Sequence, residues 1–213
     1  MTRRRLLLLA VVIASLAYHR PITAQTPAGN LRIVLLVDSG TATARMTTPL
    51  RAGLLAFLDD LPGDAEVAFI TTGGQLQVRV KPTADRDEVR KAVEAFASTG
   101  GANAFAVSLI ESYKRFLKPA TDKRPVFVIV TTEATAGNDN DVRVDDYNKF
   151  AQEFKQRDGR AHAIVIGGLA RGVTSAVAEN LCQNSGGRFE RIADATAVTK
   201  ILKDVAVRVS AGQ

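Results

Sequence analysis

Leu31–Val37 reads Leu-Arg-Ile-Val-Leu-Leu-Val and runs directly into Asp38-Ser39-Gly40-Thr41-Ala42, and this stretch decides the fold. An almost uninterrupted apolar run is typical of a central parallel strand that is covered on both faces. Asp38 then stands at the carboxyl end of that strand, which is where open α/β sheets bind their ligands. The first candidate site residue is therefore Asp38.

Further strands follow at intervals along the chain. Val126–Val130 is a second continuous apolar run, and Val67–Ile70 and Ala163–Ile166 are shorter ones. Gln75–Val80 instead alternates apolar and polar residues, which is typical of an edge strand with one polar face. The turn that precedes it, Thr72–Gly74, is so short that the strand must run antiparallel to its predecessor.

Helices are predicted between the strands from apolar residues that recur with a period near 3.6. Thr48 before Pro49 predicts the N-cap of the first helix, a start near Thr83 is expected for the second, and Asn103 predicts the cap of the third. Asp145 lies near the start of the fourth, a fifth is expected to be short, and a sixth closes the chain. Alternating strands and helices predict a mostly parallel sheet with helices on both sides and right-handed crossovers.

The first 24 residues predict a signal peptide. They contain three consecutive arginines, the apolar block Leu6–Ala17 and a short polar region that ends at Ala24. The block is about a dozen residues, short of the ~20 that span a bilayer, so cleavage is favoured over a retained anchor. We expect export, by the general secretory or the twin-arginine route, to a periplasmic or secreted location. Residues 25–30 then form a linker, 31–209 one domain and 210–213 a tail.

Charge and cysteine content exclude other classes of protein. The formal net charge of +6 falls to +2 without the first 24 residues, because these carry four arginines and no acid. The remaining charges are interleaved, whereas nucleic-acid binding needs a clustered basic face, so no nucleic-acid partner is expected. Cys182 is the only cysteine. No internal disulfide is therefore expected, and a helical position predicts a partly buried, inert thiol.

Several segments, in order, resemble the von Willebrand factor type A (vWA) domain. The first strand of that family ends in Asp-x-Ser-x-Ser, similar to Leu31–Ala42, and its Gly-Gly-Thr-Asn turn is similar to Gly100–Asn103. Its strand ending in Thr-Asp-Gly is similar to Val126–Ala134, and its closing Gly-Gly turn to Gly186–Phe189. The resemblance covers about residues 31–209. It implies an α/β, Rossmann-like doubly wound, mostly parallel six-stranded sheet with one antiparallel edge strand and helices on both faces.

In the vWA family, the strand-end aspartate, two serines, a threonine and a second aspartate bind Mg²⁺ or Mn²⁺. An acidic residue of the partner completes the coordination. Here Asp38 matches, but the hydroxyl ligands are replaced by residues without a side-chain oxygen, namely Gly40, Ala42 and Ala102. Glu133 stands at the second aspartate, or Thr132 if the register slips by one. Mg²⁺ demands near-octahedral oxygen ligands, so no cofactor is expected beyond weak binding of Mg²⁺ or Mn²⁺.

Two alternatives to a metal site remain open at this stage. In the first alternative, Asp38 braces the following loop and Glu133 faces solvent. In the second, both side chains supply negative charge to a contact surface. The acidic segment Asp139–Asp141 lacks the spacing of a calcium loop and is interpreted as solvated.

Catalytic patterns are scarce. The sequence has neither a Gly-rich phosphate loop nor a Gly-x-Ser-x-Gly elbow. His162, the one histidine after residue 24, is interpreted as structural, and nothing in the spacing pairs it with Cys182. Phosphoryl transfer from Asp38 lacks the general acid expected two residues on, where Gly40 stands.

The sequence therefore predicts an exported, non-catalytic protein-binding module of the vWA type that works without metal. Its contact surface is expected where the loops Asp38–Thr43, Gly101–Asn103 and Glu133–Asp141 converge. Hydrogen bonds there are expected from the polar side chains and backbone of Ser39, Gly40, Thr41, Gly101 and Asn103. The alternatives are a Mg²⁺- or Mn²⁺-dependent vWA adhesin and a phosphotransfer enzyme that uses Asp38.

Overall fold

The computed structural model describes residues 30–133, 143–167 and 172–213. Within them lies one sheet, made of β1 (Leu31–Val37), β2 (Glu66–Thr71), β3 (Gln77–Thr83), β4 (Arg124–Thr132), β5 (Arg160–Ile166) and β6 (Phe189–Ile192). The order across the sheet is β3-β2-β1-β4-β5-β6. β3 pairs antiparallel with β2 at one edge, and every other neighbouring pair is parallel. The predicted antiparallel edge and the adjacency of β1 and β4 at the centre are both confirmed.

Helices cover both faces of this sheet. They are α1 (Thr47–Asp59), α2 (Arg86–Glu94), α3 (Phe105–Ser112), α4 (Val144–Gln156), α5 (Val173–Ser185) and α6 (Val198–Ser210). Successive residues of a strand point to opposite faces, so β1 contributes to two cores. Ile33 and Leu35 pack in the core shared with α1, α2 and α6, and Val34 and Leu36 in the core shared with α3, α4 and α5. The doubly wound α/β fold is thereby confirmed.

Strand ends extend beyond the apolar runs that predicted them. β4 starts at Arg124, which pairs with Leu31 in the parallel register. Arg124 is only 7% exposed. Its guanidinium donates to the carbonyls of Asp158 at 3.0 Å and Gly212 at 2.8 Å, and it pairs with the Asp158 carboxylate at 3.1 Å. A charged residue whose donors are satisfied by carbonyls continues a buried strand, and hydropathy alone does not indicate this.

Helix starts also differ from the predictions. The prediction of Thr48 as the cap of α1 was wrong, because the helix already begins at Thr47 and Met46 holds the cap position without a side-chain bond. α2 is capped by Asp85, whose carboxylate accepts two backbone N–H groups of the first turn, and Thr83 lies two residues before it. α5 is 13 residues long and not short.

Three predictions fall on residues outside the described part of the chain. These are the signal peptide at 1–24, most of the linker at 25–30, and the acidic segment at 139–141. Over the ranges that are described, none of the helices has the length and apolar character needed to cross a membrane.

The connections bring helix starts to one edge of the sheet. α1, α4 and α5 follow the parallel strands β1, β4 and β5, so they begin at the carboxyl edge. α3 begins there too, because the turn before it is hydrogen-bonded to the loop after β1 through Thr41 N and Gly101 O, 3.0 Å apart.

Candidate functional site

A cleft of about 460 Å³ opens at the carboxyl edge, above β1 and β4. Three segments line it: the loop after β1, the turn before α3 and the end of β4. The lining residues are Asp38, Gly40, Thr41, Ala42, Gly101, Ala102, Asn103, Thr132 and Glu133. Because the chain leaves β1 toward β2 on one side and meets β4 on the other, the cleft lies at the topological switch point of the sheet.

The carboxylate of Asp38 is fixed in this cleft, and the residue is 1% exposed. Its Oδ1 accepts from the backbone N–H of Gly40 at 2.7 Å. Its Oδ2 accepts from the hydroxyl of Thr132 on the neighbouring strand. Asp38 therefore braces its own loop against β4, as one of the sequence interpretations expected.

Ser39 is the one predicted site residue that the structure does not bring into the cleft. Its side chain is buried, accepts from the backbone N–H of Gly73 at 3.0 Å and lies 3.0 Å from the hydroxyl of Thr99. Its carbonyl accepts from Thr99 N at 2.8 Å. Ser39 thus ties the loop after β1 to the two segments beneath it.

Small residues are required where the loop and the turn meet. A Cβ at Gly40 would stand 3.0 Å from both Asp38 Oδ1 and Gly101 O. Gly101 has φ +77°, and a Cβ there would stand 2.9 Å from Gly74 Cα. The carbonyl of Gly101 accepts from both the backbone and the hydroxyl of Thr41, at 3.0 and 3.2 Å. This backbone approach leaves little room for larger side chains on the cleft floor.

Asn103 links strand ends and does not cap α3, so that prediction was wrong. Ala104 holds the cap position of the helix. The Asn103 amide accepts from the Thr72 hydroxyl at 2.9 Å and donates to the Thr131 hydroxyl at 2.7 Å and the Thr132 carbonyl at 3.0 Å. The threonine pairs that close β2 and β4 are the sequence signal that could have indicated this network.

Glu133 does not simply face solvent, as one interpretation had it. Its Oε1 accepts from the backbone N–H of Ser175 at 3.3 Å, and its Oε2 from the Ser175 hydroxyl. Ser175 lies in the first turn of α5, where a carboxylate is favoured by the helix dipole. Gly172 leaves the space for it, since a Cβ there would stand 2.3 Å from Oε1. Sequence reasoning missed Ser175, because a capping contact between distant segments has no local signature.

The described residues of the cleft depart from the donor set that the vWA pattern uses for Mg²⁺ or Mn²⁺. Asp38 is engaged by two donors, Glu133 is engaged with α5, and the three hydroxyl positions of the vWA pattern carry no side-chain oxygen. Throughout the described ranges there is no group of three or more histidine, cysteine, aspartate or glutamate residues that could hold a metal ion. Among the described residues of the cleft, the hydroxyl ligands of the vWA pattern are therefore missing.

His162 and Cys182 lie away from the cleft and from each other. His162 sits near the amino end of β5, 1% exposed, and its Nδ1 accepts from the backbone N–H of Arg188 at 3.2 Å. Burial lowers its pKa to about 4. Cys182 packs with Ala161 and Ala163, the two neighbours of His162 along the strand, so thiol and imidazole lie on opposite faces of the sheet. Burial raises the pKa of the thiol. Cys182 is fully buried and not partly buried as predicted, and His162 is buried as well.

Exposed aliphatic side chains lie at the starts of three helices that begin at the carboxyl edge. Among the described residues, the exposed large hydrophobic side chains are Val78, Val107, Val144, Val173 and Val207. Three of them lie in the first turns of the helices that begin at the carboxyl edge: Val107 in α3, Val144 in α4 and Val173 in α5, with 42, 72 and 50% exposure. These three residues are called the valine rim below.

Comparison with known proteins supports the fold alone. No protein-family model matches the chain, and no curated protein matches it either. Solved structures, in contrast, do match the chain. A von Willebrand factor type A protein from Catenulispora acidiphila superposes with a TM-score of 0.69 at 14% identity, over 85% of this chain and 43% of that one. The chain therefore has a vWA-like fold, and it spans less than half the length of that protein.

Two further solved structures are similar in fold to this chain. A conserved hypothetical protein, BatB from Bacteroides thetaiotaomicron, gives a TM-score of 0.59 at 12% identity, over 84% of this chain and 98% of that one. Proximal thread matrix protein 1 from the mussel byssus, solved with a zinc-occupied MIDAS motif, gives 0.69 at 12% identity, over 86% of this chain and 47% of that one. The fold expected from the resemblance is confirmed.

Proposed function

We propose that this protein is an exported, non-catalytic protein-binding module that contacts its partner through the cleft and the valine rim, without a bridging metal ion. The valine rim is the observation that carries the proposal. Three of the five exposed large aliphatic side chains in the described ranges lie in the first turns of helices that begin at the carboxyl edge, the edge at which the cleft opens. Apolar groups held at the border of a polar cleft are typical of a protein-docking surface.

Independence from metal is supported by the donor set. The segments that meet at the cleft are already joined by Asp38, Asn103 and Glu133 through hydrogen bonds to fixed partners. An ion would compete with these bonds for the two carboxylates. It would also have to lose water for a site that offers few additional oxygens.

The absence of catalysis is supported by the surroundings of the candidate nucleophile. Asp38 Oδ1 and Oδ2 each accept a hydrogen bond, and residue 40 supplies no acid. Phosphotransfer predicts metal-dependent turnover of an aryl phosphate that Asp38→Asn abolishes. We expect no turnover in the parent protein.

Export is supported by the sequence of residues 1–24. Expression in a bacterium, followed by N-terminal sequencing of the exported form, should give a chain that begins at Gln25. A product that keeps its first residues would contradict cleavage.

Docking is tested with a random-peptide library selected on the immobilised protein. The selected peptides should bind the triple variant Val107→Ser, Val144→Ser, Val173→Ser at least about ten-fold more weakly than the parent protein. The matched control is Val207→Ser, which removes an equally aliphatic exposed side chain near the end of α6, away from the carboxyl edge. Equal binding to both variants, or a library without any enriched binder, would refute the proposal.

A further inference from the structure

A second cavity, of about 120 Å³, lies between the segment that follows α3 and helix α4. Among the described residues, none lines both this cavity and the cleft. Its volume accommodates a group of a few heavy atoms, since one water molecule occupies about 30 Å³ of the liquid. The lining residues with polar side chains are Tyr113, Lys114, Lys118, Asp146, Lys149 and Glu153. This space is called the lysine cavity below.

Two helical segments form its walls. Tyr113–Leu117 is a π-helical turn directly after α3, and the backbone N–H of Lys118 donates to the carbonyl of its first residue at 2.8 Å. Single π-helical turns often occur at functional sites. On α4, Asp146, Lys149 and Glu153 are spaced by three and four residues, so they share one face of the helix.

The Tyr113 hydroxyl is a buried donor without an acceptor. The residue is 1% exposed, its ring packs edge-on against Phe150 and Phe154, and its oxygen has no hydrogen-bond partner in the described part of the chain. Burial raises the pKa of Tyr113, and the nearby Arg157 guanidinium opposes this shift. Arginine has donors only, so it cannot accept the phenolic proton. The proton is therefore left for an acceptor from outside the protein.

Two partly exposed lining residues lie near this hydroxyl. The charges of Glu153 and Lys118 both act on the pKa of Tyr113. Lys118 Nζ donates to Glu153 Oε2 at 2.8 Å, and the two side chains are 53 and 28% exposed. An ion pair with this exposure contributes little to stability, so it is easily broken. An acceptor that takes Lys118 from Glu153 thus comes within reach of the phenol.

The lining has a surplus of positive charge. Three lysines face two acids, and within the described ranges Lys118 is the one lysine of the three that forms an ion pair. The bond from Lys118 lowers the pKa of Glu153, and the charges of Lys149 and Lys114 act in the same direction. An ammonium group has three donors and no acceptor. A ligand for this cavity must therefore be negatively charged and rich in acceptors.

We propose that the lysine cavity binds a small tetrahedral oxyanion, free phosphate or the phosphate group of a monoester, which accepts from the Tyr113 hydroxyl and from the lysines. Phosphate oxygens point in several directions, so they can accept from both walls at once. Lysine is a common phosphate ligand, and hydrogen bonds between charged groups are stronger than neutral ones. The site is separate from the proposed docking surface, and neither depends on the other.

Isothermal titration with sodium phosphate near neutral pH, with NaCl adjusted to hold the ionic strength constant, tests the proposal. We expect saturable binding with a Kd of about 1 mM or tighter. Glycerol phosphate distinguishes the two sources: tighter binding than phosphate indicates a monoester, and weaker binding indicates the free ion. Acetate should bind at least about ten-fold more weakly than phosphate, because it has fewer acceptors. No saturable binding of phosphate, or equal binding of acetate, would overturn the proposal.

Three variants test the residues. Tyr113→Phe removes only the hydroxyl and should weaken phosphate binding by about ten-fold, while its stability to urea stays equal to that of the parent or rises. Lys149→Gln should weaken binding by about five-fold. Glu153→Gln should tighten binding by about three-fold, because it removes a negative charge and releases Lys118. An unchanged affinity for Tyr113→Phe, or weaker binding to Glu153→Gln, would refute the site.

Lys200→Gln is the matched control. It changes the net charge by the same amount as Lys149→Gln, at an exposed position of α6. α6 packs on the opposite face of the sheet from α3 and α4. This control should bind phosphate as the parent does. If it loses as much affinity as Lys149→Gln, the anion responds to net charge alone and the proposal fails.

Discussion

Acid should destabilise this protein through one buried imidazole. His162 is 1% exposed, and burial lowers its pKa from 6.5 to about 4. Between these values the unfolded chain binds a proton that the native chain does not, so the free energy of unfolding falls as the pH falls. From pH 7.5 to pH 4.5 the loss is about 2.5 kcal/mol, at about 1.4 kcal/mol for each unit of pKa difference.

The assay is urea unfolding at a series of pH values, with parent protein and His162→Asn compared. Asparagine offers an oxygen near the place of Nδ1, so it can still accept from the backbone N–H of Arg188, but it does not titrate. The variant should be less stable at pH 7.5, since a buried ring is lost. Between pH 7.5 and 4.5 it should lose about 2.5 kcal/mol less than the parent.

The difference in pH dependence between the two proteins can be assigned to His162, because His19, within residues 1–24, is the only other histidine and is present in both. Titration of carboxylates contributes equally to both proteins and cancels in the difference. Parallel pH curves for parent and variant would refute the reasoning, since they would mean that the native imidazole accepts a proton as readily as the unfolded one.

Three further predictions concern the cleft. Gly101→Ala should lower the free energy of unfolding by about 2–4 kcal/mol and Gly100→Ala by about 1 kcal/mol, because both residues have positive φ but only Gly101 is crowded by Gly74. Equal losses for the two variants in urea unfolding would contradict the crowding. Glu133→Ala should lower the free energy of unfolding by about 1–2 kcal/mol, and Glu133→Gln should lower it less, because glutamine keeps an acceptor for Ser175. If the alanine variant is as stable as the parent protein, the contact between Glu133 and α5 contributes nothing to stability. Millimolar Mg²⁺ or Mn²⁺ should leave the melting temperature unchanged, whereas a site with micromolar affinity would raise the free energy of unfolding by roughly 4 kcal/mol. A shift that Asp38→Ala abolishes would restore the metal-dependent alternative.

The fold could be predicted because its signals are local and repeated. The buried run of β1, the alternation in β3 and the stripes of the helices each follow from the period of one element. Their order along the chain then leaves few arrangements of a mostly parallel sheet. The strand ends were less predictable, since the buried Arg124 in β4 is stabilised by acceptors far away in sequence, the carbonyls of Asp158 and Gly212 and the Asp158 carboxylate.

The site was predictable in position but not in its contacts. A carboxylate after a central strand places the cleft, because switch points lie at the carboxyl ends of strands. The partners of each side chain are set by segments far apart in sequence: Asn103 bonds to residues 31 and 28 positions away, and Glu133 bonds to Ser175, 42 positions away. The spacing of apolar residues within one helix or strand does not indicate contacts between segments so far apart.

Hydrogen bonds join the described segments that converge at this cleft, and this has a consequence for binding. Asp38 joins the first loop to β4, Asn103 joins β2 to β4, and Glu133 joins β4 to α5. Each tie is made within the protein, so the described segments 38–43 and 101–103 are held in place before any ligand arrives. A preorganised surface loses little conformational entropy on association. Its affinity should then depend on which charge and which apolar contacts a partner brings, and very little on ions in the medium other than through screening.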